Sequence, residues 1–245
     1  MNTADDARGW ASVGKILLGE RGFCTGALIA PDLVLTAAHC LYDRDTGARF
    51  PDRLITFQAG WRNGRAEAYR KVRHAVADPD YVYSGEDELA RVGHDLALLQ
   101  LDQPILLPQL APFAIGSRPS RGSAVSVVSY AKDRAAMPSI EEGCGVIASD
   151  GSALILTCDI DFGSSGAPVF ALRDGVAELV SVISAKAELD GEKVALAVPV
   201  DRPLAALRIE LAGIAPARAG AAGVRVLSGG DGASGAKFVS PAAPP

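Results

Sequence analysis

The sequence predicts an all-β protein, and two observations carry that expectation. Short apolar runs, most of them four to seven residues long, are bounded by Gly, Pro, Asp or Asn, the pattern of strands in a barrel or sandwich. Between the runs stand dipeptides suited to tight turns: Pro31-Asp32, Asn63-Gly64, Asp150-Gly151, Asp174-Gly175 and Asp190-Gly191. Gly, Asn and Asp tolerate positive φ and Pro presets a turn φ, which hairpins require.

The strand candidates follow in chain order. Ala27–Ile29 and Leu33–Leu35 flank the Pro31-Asp32 turn, and Leu96–Leu99, Val125–Val128, Leu154–Leu156, Leu179–Ile183 and Val194–Val200 come after. Pro104, Pro108, Pro112 and Pro119 crowd the stretch from Gln103 to Pro119. Proline cannot donate to a strand ladder, so this stretch is expected to be a connection dividing the strands into two similar halves. Asp201 then precedes Arg202-Pro203, with Leu204, Leu207, Leu211 and Ile214 at three-to-four spacing. An Asp cap, an early proline and that spacing predict one amphipathic helix. From about Ala215 the chain is mostly Ala, Gly, Ser and Pro, a composition that predicts disorder.

Of the 245 residues, 49% are hydrophobic and 22% charged. That suffices for a full core, and length alone permits one domain or two. The net charge is −5 and no Lys/Arg-rich run occurs, which excludes nucleic acid as the main partner, because phosphates demand a basic footprint. No apolar stretch reaches the roughly 18–20 residues that span a bilayer, so no membrane span is expected. Met1 to Asp6 is polar and acidic and lacks the regions of a secretory signal. Either the protein stays in the cytosol or a signal was removed. Four cysteines without a C-x-x-C pair are compatible with two disulfides in an oxidising compartment, or with buried thiols in the cytosol. Three pairings are open. The sequential one, Cys24 with Cys40 and Cys144 with Cys158, closes short loops worth about 3 kcal/mol each.

Three segments offer chemistry. His39 ends Leu35-Thr36-Ala37-Ala38-His39-Cys40, and Asp95 stands at the mouth of Gly93-His94-Asp95-Leu96-Ala97-Leu98-Leu99. Ser165 lies in the small-residue turn Gly163-Ser164-Ser165-Gly166-Ala167-Pro168. Singly they are a structural histidine, a strand cap and a loop. Together they resemble the three signature segments of the trypsin/chymotrypsin serine protease family, in the family's order of His, Asp, Ser. Gly22–Ile29 resembles the segment before the family's histidine. Leu179–Ser184 resembles its substrate-backbone strand, with Ser184 19 residues after Ser165. The likeness covers roughly residues 10–212 and leans to the bacterial branch with short loops, which includes glutamyl endopeptidase-like enzymes.

The resemblance implies two six-stranded antiparallel β-barrels of the chymotrypsin type with a C-terminal α-helix. Residues 1–9 would form an N-terminal segment and 10–212 the protease domain. Within it, barrel one would take about 10–105, barrel two about 118–200 and the helix about 201–213, followed by a disordered tail over 214–245. The implied activity is that of a monomeric serine endopeptidase on protein or peptide substrates, secreted or periplasmic, without cofactor. A serine hydroxyl is a weak nucleophile and needs an adjacent base, a role His39 suits because imidazole titrates near 6.5. Asp95 would fix its tautomer, and the N–H groups of Gly163 and Ser165 would hold the oxyanion. The family pairs the cysteine at Cys24 with the one at Cys40. In the same fold Cys144 and Cys158 bracket a strand-turn-strand segment and are expected to pair. The alternative is a protease fold retained only for binding, which loss of a triad residue would favour; all three are present.

Departures from the family pattern matter for regulation and specificity. Ser164 replaces the activation aspartate and no Ile-Val-Gly-Gly start occurs, so the trypsin-type switch is expected to be absent. Ala167 follows Gly166 where the family has glycine. Asp159 lies six residues before Ser165, where trypsin-like pockets bind Arg or Lys. It implies cleavage after basic residues, unless it is a structural acid beside Cys158. Lys186 follows Ala185 at the pocket rim, where it would offset Asp159 or attract an acidic side chain; Ser184 is a further substrate-binding position. His94 is expected to face away from Asp95, and His74 to lie at the surface. Three histidines without paired ligand spacing argue against a catalytic metal.

Overall fold

The computed structural model describes residues 1, 6–84, 88–131, 135–149, 152–201 and 203–214. Six antiparallel strands close the first barrel: β1 (Val13–Leu18), β2 (Phe23–Ala30), β3 (Leu33–Thr36), β4 (Ile55–Ala59), β5 (Ala68–Ala77) and β6 (Ala97–Leu101). They neighbour in the order β1-β2-β3-β6-β5-β4. After the two-residue β7 (Ala114–Ile115), the second barrel comprises β8 (Ala124–Ser129), β9 (Ser139–Ser149), β10 (Leu154–Leu156), β11 (Pro168–Arg173), β12 (Val176–Leu189) and β13 (Glu192–Pro199). Its ring runs β8-β9-β10-β13-β12-β11 and closes because β11 pairs with both β12 and β8. Closure leaves few strand edges open to solvent.

The runs that looked apolar in sequence fill the two interiors. Ile16, Leu28, Leu35, Ile55, Phe57 and Leu98 are buried in barrel one, and Val127, Val146, Leu154, Leu156, Val169 and Ile183 in barrel two. The first cluster continues across the seam into Val128, Phe170, Leu179 and Val182. There Phe113 and Trp10 pack their rings 4.6 and 4.9 Å from that of Phe170. At the hairpin tips, Asp174 and Gly175 have φ of 50° and 79°, and Asp190 and Gly191 have 53° and 83°. Two consecutive left-handed residues match the twist of the flanking strands. Asp150-Gly151 lies outside the described residues.

Two short elements were not expected. β7, within the Pro-rich connection, pairs in parallel with Glu178 and Leu179 of β12, a stretch left open because β13 joins β12 only from Ser181 onward. Helix α1 (Glu88–Gly93) spans six residues, too few to set up a helical period. Helix α2 (Pro203–Ile214) buries Leu204, Leu207 and Leu211 and packs on β5 and β6 of barrel one, while Ile214 remains 46% exposed. The stretch 215–245, expected to be disordered, lies outside the described residues. Among the described residues no helix is long and apolar enough to cross a membrane. Disulfides join Cys24 to Cys40 and Cys144 to Cys158.

Candidate active site

His39 sits in a one-turn 3-10 helix, Ala38–Leu41, that follows β3, and the Cys24–Cys40 disulfide pins this turn to β2. Asp95 follows α1, its N–H bonded to Val92 O at 3.1 Å. The carboxylate is 3% exposed and accepts three hydrogen bonds: His39 N on Oδ1 at 2.8 Å, His39 Nδ1 on Oδ2 at 2.7 Å, and Ser184 Oγ on Oδ2 at 2.5 Å. A buried carboxylate without donors would be costly, and here both oxygens are satisfied. With Nδ1 turned to Asp95, the other ring nitrogen of His39 is free to act elsewhere. Burial pushes the His39 pKa down, and the Arg91 charge adds to that. The Asp95 charge and hydrogen bond more than reverse both, so the net shift is upward from 6.5.

Ser165 lies on the turn between Ile160 and β11. Gly163 and Gly166 take φ of 95° and 76°, a region open to glycine and strained for other residues. A Cβ on Gly166 would stand 2.1 Å from Thr36 Oγ1 and 3.0 Å from Ala37 N, while one on Gly163 would meet the Phe23 ring at 2.5 Å. The turn is thus pressed onto the end of β3, three residues before His39. Ser164 N donates to Asp161 O, Gly166 N to Ile183 O and Ala167 N to Ser164 O. Among the described residues the N–H groups of Gly163 and Ser165 donate to no protein acceptor. No hydrogen bond joins Ser165 to His39 among the described residues; such contacts are commonly long without substrate and shorten when it binds.

The remaining sequence candidates are spread around this centre. Ser184 is the residue skipped where the β12–β13 register shifts, between Ile183 opposite Ala197 and Ala185 opposite Leu196, so its backbone stands out of the ladder. Asp159 is exposed, with its N–H donating to Glu141 Oε1 at 3.0 Å. Both acids line a cavity of about 280 Å³ with Ser129, Ser139 and Ile160. Lys186 Nζ is 3.9 Å from Asp161 Oδ1, each side chain about half exposed. His94 turns away from Asp95 and bonds Asp78 through Nδ1 at 3.2 Å. His74, expected at the surface, is half-buried on β5.

Sequence patterns gave no role to Thr25, Ser129 or Tyr130. The Ser164 hydroxyl donates to Ser129 Oγ at 3.2 Å in a buried site. Thr25 Oγ1 accepts from Tyr130 N and donates to Gly163 O, linking Tyr130 to the Gly163–Gly166 turn across the seam. Their only sequence signal is a hydroxyl or phenol flanked by strand residues. As for metals, Cys24, His39 and Cys40 lie close together, but both sulfurs are consumed by the disulfide. Asp78, Asp80 and His94 also have ligand atoms within 4.8 Å of one another, and the His94–Asp78 pair accounts for that geometry without an ion.

The family described as trypsin-like peptidase domain matches residues 24–180. Over 92 residues the chain is 41% identical to the modular serine protease of Drosophila melanogaster, covering 34% of this chain and 14% of that one. Over 151 residues it is 26% identical to glutamyl endopeptidase of Bacillus licheniformis, covering 61% and 45%. The matches thus span less than half the length of these curated relatives. The solved structure of a Glu endopeptidase in complex with MPD superposes with a TM-score of 0.71 over 87% of this chain and 96% of that one, at 18% identity, a likeness of fold. Since the family match takes in more than half of the sequence, the chain belongs to the trypsin-like peptidase domain family.

Proposed function

We propose that the protein is a serine endopeptidase working through an acyl-enzyme, with Ser165 as nucleophile, His39 as base and Asp95 as the group that orients it. The strongest support is the buried Asp95 carboxylate, which holds both the backbone N–H and the Nδ1 of His39. That leaves Nε2 to take the Ser165 proton as Oγ attacks the peptide carbonyl. The imidazolium so formed is stabilised by Asp95, and the oxyanion by the N–H groups of Gly163 and Ser165, each such donor being worth about 3–4 kcal/mol in comparable enzymes. Collapse expels the amine, which takes the proton back from His39. Water, activated by the same imidazole, then hydrolyses the ester and restores Ser165.

Two observations bear on the residue before the cleaved bond. Asp159, with Glu141 beside it, supports a preference for basic side chains. Lys186 supports the opposite preference, for acidic side chains, because its distance of 3.9 Å from Asp161 at a half-exposed position leaves its charge available; relatives named glutamyl endopeptidases share that direction. The two disulfides support a secreted or periplasmic setting, since such bonds persist in oxidising compartments.

A peptide library with mass-spectrometric mapping of cleavage sites, run beside fluorophosphonate labelling, tests activity and preference together. Wild-type protein should cleave, and the label should sit on Ser165. Ser165→Ala should lose about 10⁶-fold in kcat, the size seen for triad loss in related systems. A folded wild type that neither labels nor cleaves would instead indicate a binding homologue.

A further inference from the structure

Thr25 lies on β2 of barrel one with no exposed surface, and four hydrogen bonds converge on it. Its N–H donates to Ser165 O at 2.8 Å, and its hydroxyl donates to Gly163 O at 2.8 Å. The same hydroxyl accepts from Tyr130 N at 3.1 Å, and its carbonyl accepts from Thr36 Oγ1 at 2.8 Å. The first three cross from one barrel to the other. Because a carbonyl can only accept and a backbone N–H can only donate, the partners fix the direction of the hydroxyl proton.

The consequence lies in which peptides are held. The Gly163–Ser164 peptide is fixed at both ends, its carbonyl by Thr25 Oγ1 and its N–H by Asp161 O. The Ser165–Gly166 peptide is fixed likewise, by Thr25 N and Ile183 O. The two N–H groups without protein acceptors, those of Gly163 and Ser165, belong to the alternate peptides. Gly163, lacking a Cβ and sitting at φ 95°, has the backbone freedom to turn, and the hydroxyl of Thr25 removes that freedom.

We propose that Thr25 is a positioning residue of the peptidase, whose hydroxyl reaches from barrel one to orient the Gly163–Ser164 peptide and so aims both oxyanion donors at one point. This rests on the oxyanion role given to Gly163 and Ser165 above. Because the hydroxyl belongs to the opposite barrel, the donors are aligned only while the barrels are docked.

Thr25→Val keeps the shape and removes the hydroxyl. Its kcat on the best library peptide should fall about 10- to 100-fold, the range set by losing or misplacing one donor, with KM within about threefold. The rate of fluorophosphonate labelling at Ser165 should fall in step. The pH at which activity rises should not move, since His39 and Asp95 keep their contacts, and Thr25→Ser should recover most of the rate. Should Thr25→Val fail to fold, Thr25→Ala read against Thr25→Ser gives the same comparison. An active wild type with undiminished kcat in Thr25→Val or Thr25→Ala overturns the proposal alone. So does a loss confined to KM, or an equal loss in Thr25→Ser. A wild type that neither labels nor cleaves overturns it together with the peptidase reading.

Discussion

The two barrels secure the proposed catalytic groups in different ways. Barrel one holds the His39–Asp95 pair internally, through a 3-10 turn, a disulfide and two hydrogen bonds between neighbouring elements of the same barrel. Barrel two presents Ser165 on a glycine-bracketed turn whose carbonyls are anchored on Thr25 of barrel one. One contact runs the other way, from Ser184 of barrel two to Asp95. In the proposed mechanism, proton transfer would thus be prepared within one barrel, and the geometry of attack between two. Perturbations at the His39–Asp95 pair should damage the proposed base directly, and those at the Thr25 anchor should act on the Gly163–Gly166 turn across the seam.

The largest test of that contrast is Asp95→Asn. The shape is retained, but the amide favours the wrong imidazole tautomer, and comparable triads lose about 10⁴-fold in kcat. Steady-state kinetics should show that loss with little change in melting temperature; an equally large fall in stability would mean Asp95 is chiefly structural. Next come the disulfides. Loops of 16 and 14 residues give about 3 kcal/mol of stability each, so Cys24→Ser/Cys40→Ser and Cys144→Ser/Cys158→Ser should melt alike. At a temperature where both are folded, the first pair should cost kcat because it frees the His39 turn, and the second should leave kcat near wild type.

A smaller effect follows from pH. The folded-state pKa of His39 is raised above 6.5, so the protonated ring is favoured by folding. The associated stability is present below the unfolded value and is lost as pH rises through the raised one. Activity runs oppositely, because the base must be neutral: kcat/KM should climb at pH values above 6.5, and a rising limb centred below 6.5 would contradict the Asp95 effect. The smallest expected change is Ser164→Ala. It breaks the bond to Ser129 Oγ but keeps the turn's backbone bonds, so activity should stay within a few-fold and stability should drop by about 1 kcal/mol. A loss near that of Ser165→Ala would reassign the nucleophile.

What could be foreseen from sequence was whatever has a local signature. Leu179–Ile183 and Val194–Val200 are apolar runs separated by Asp190-Gly191, and they form the β12–β13 hairpin. The segments around His39 and Asp95 were singled out separately, and the fold bonds them across 56 positions. Thr25 falls inside Gly22–Ile29, whose family likeness carries no role for its hydroxyl, because its partner Gly163 lies 138 residues away, and no period or spacing encodes such a distance. The surroundings of Asp159 escaped for the same reason: Glu141 is 18 residues off, on β9. α1 and β7 leave no local signature, because six and two residues are too short to carry a helical or strand periodicity.

Each disulfide closes within its own barrel, and among the described residues no disulfide joins one barrel to the other. Mechanically the molecule is two reinforced shells joined by an adhesive seam of aromatic rings, buried aliphatic side chains and a few hydrogen bonds. Oxidation state therefore sets how well each shell resists unfolding, while solvent conditions that weaken apolar contacts set how far the shells can part. Reductant and mild denaturant are two different handles on this molecule: one loosens the shells, the other the seam between them.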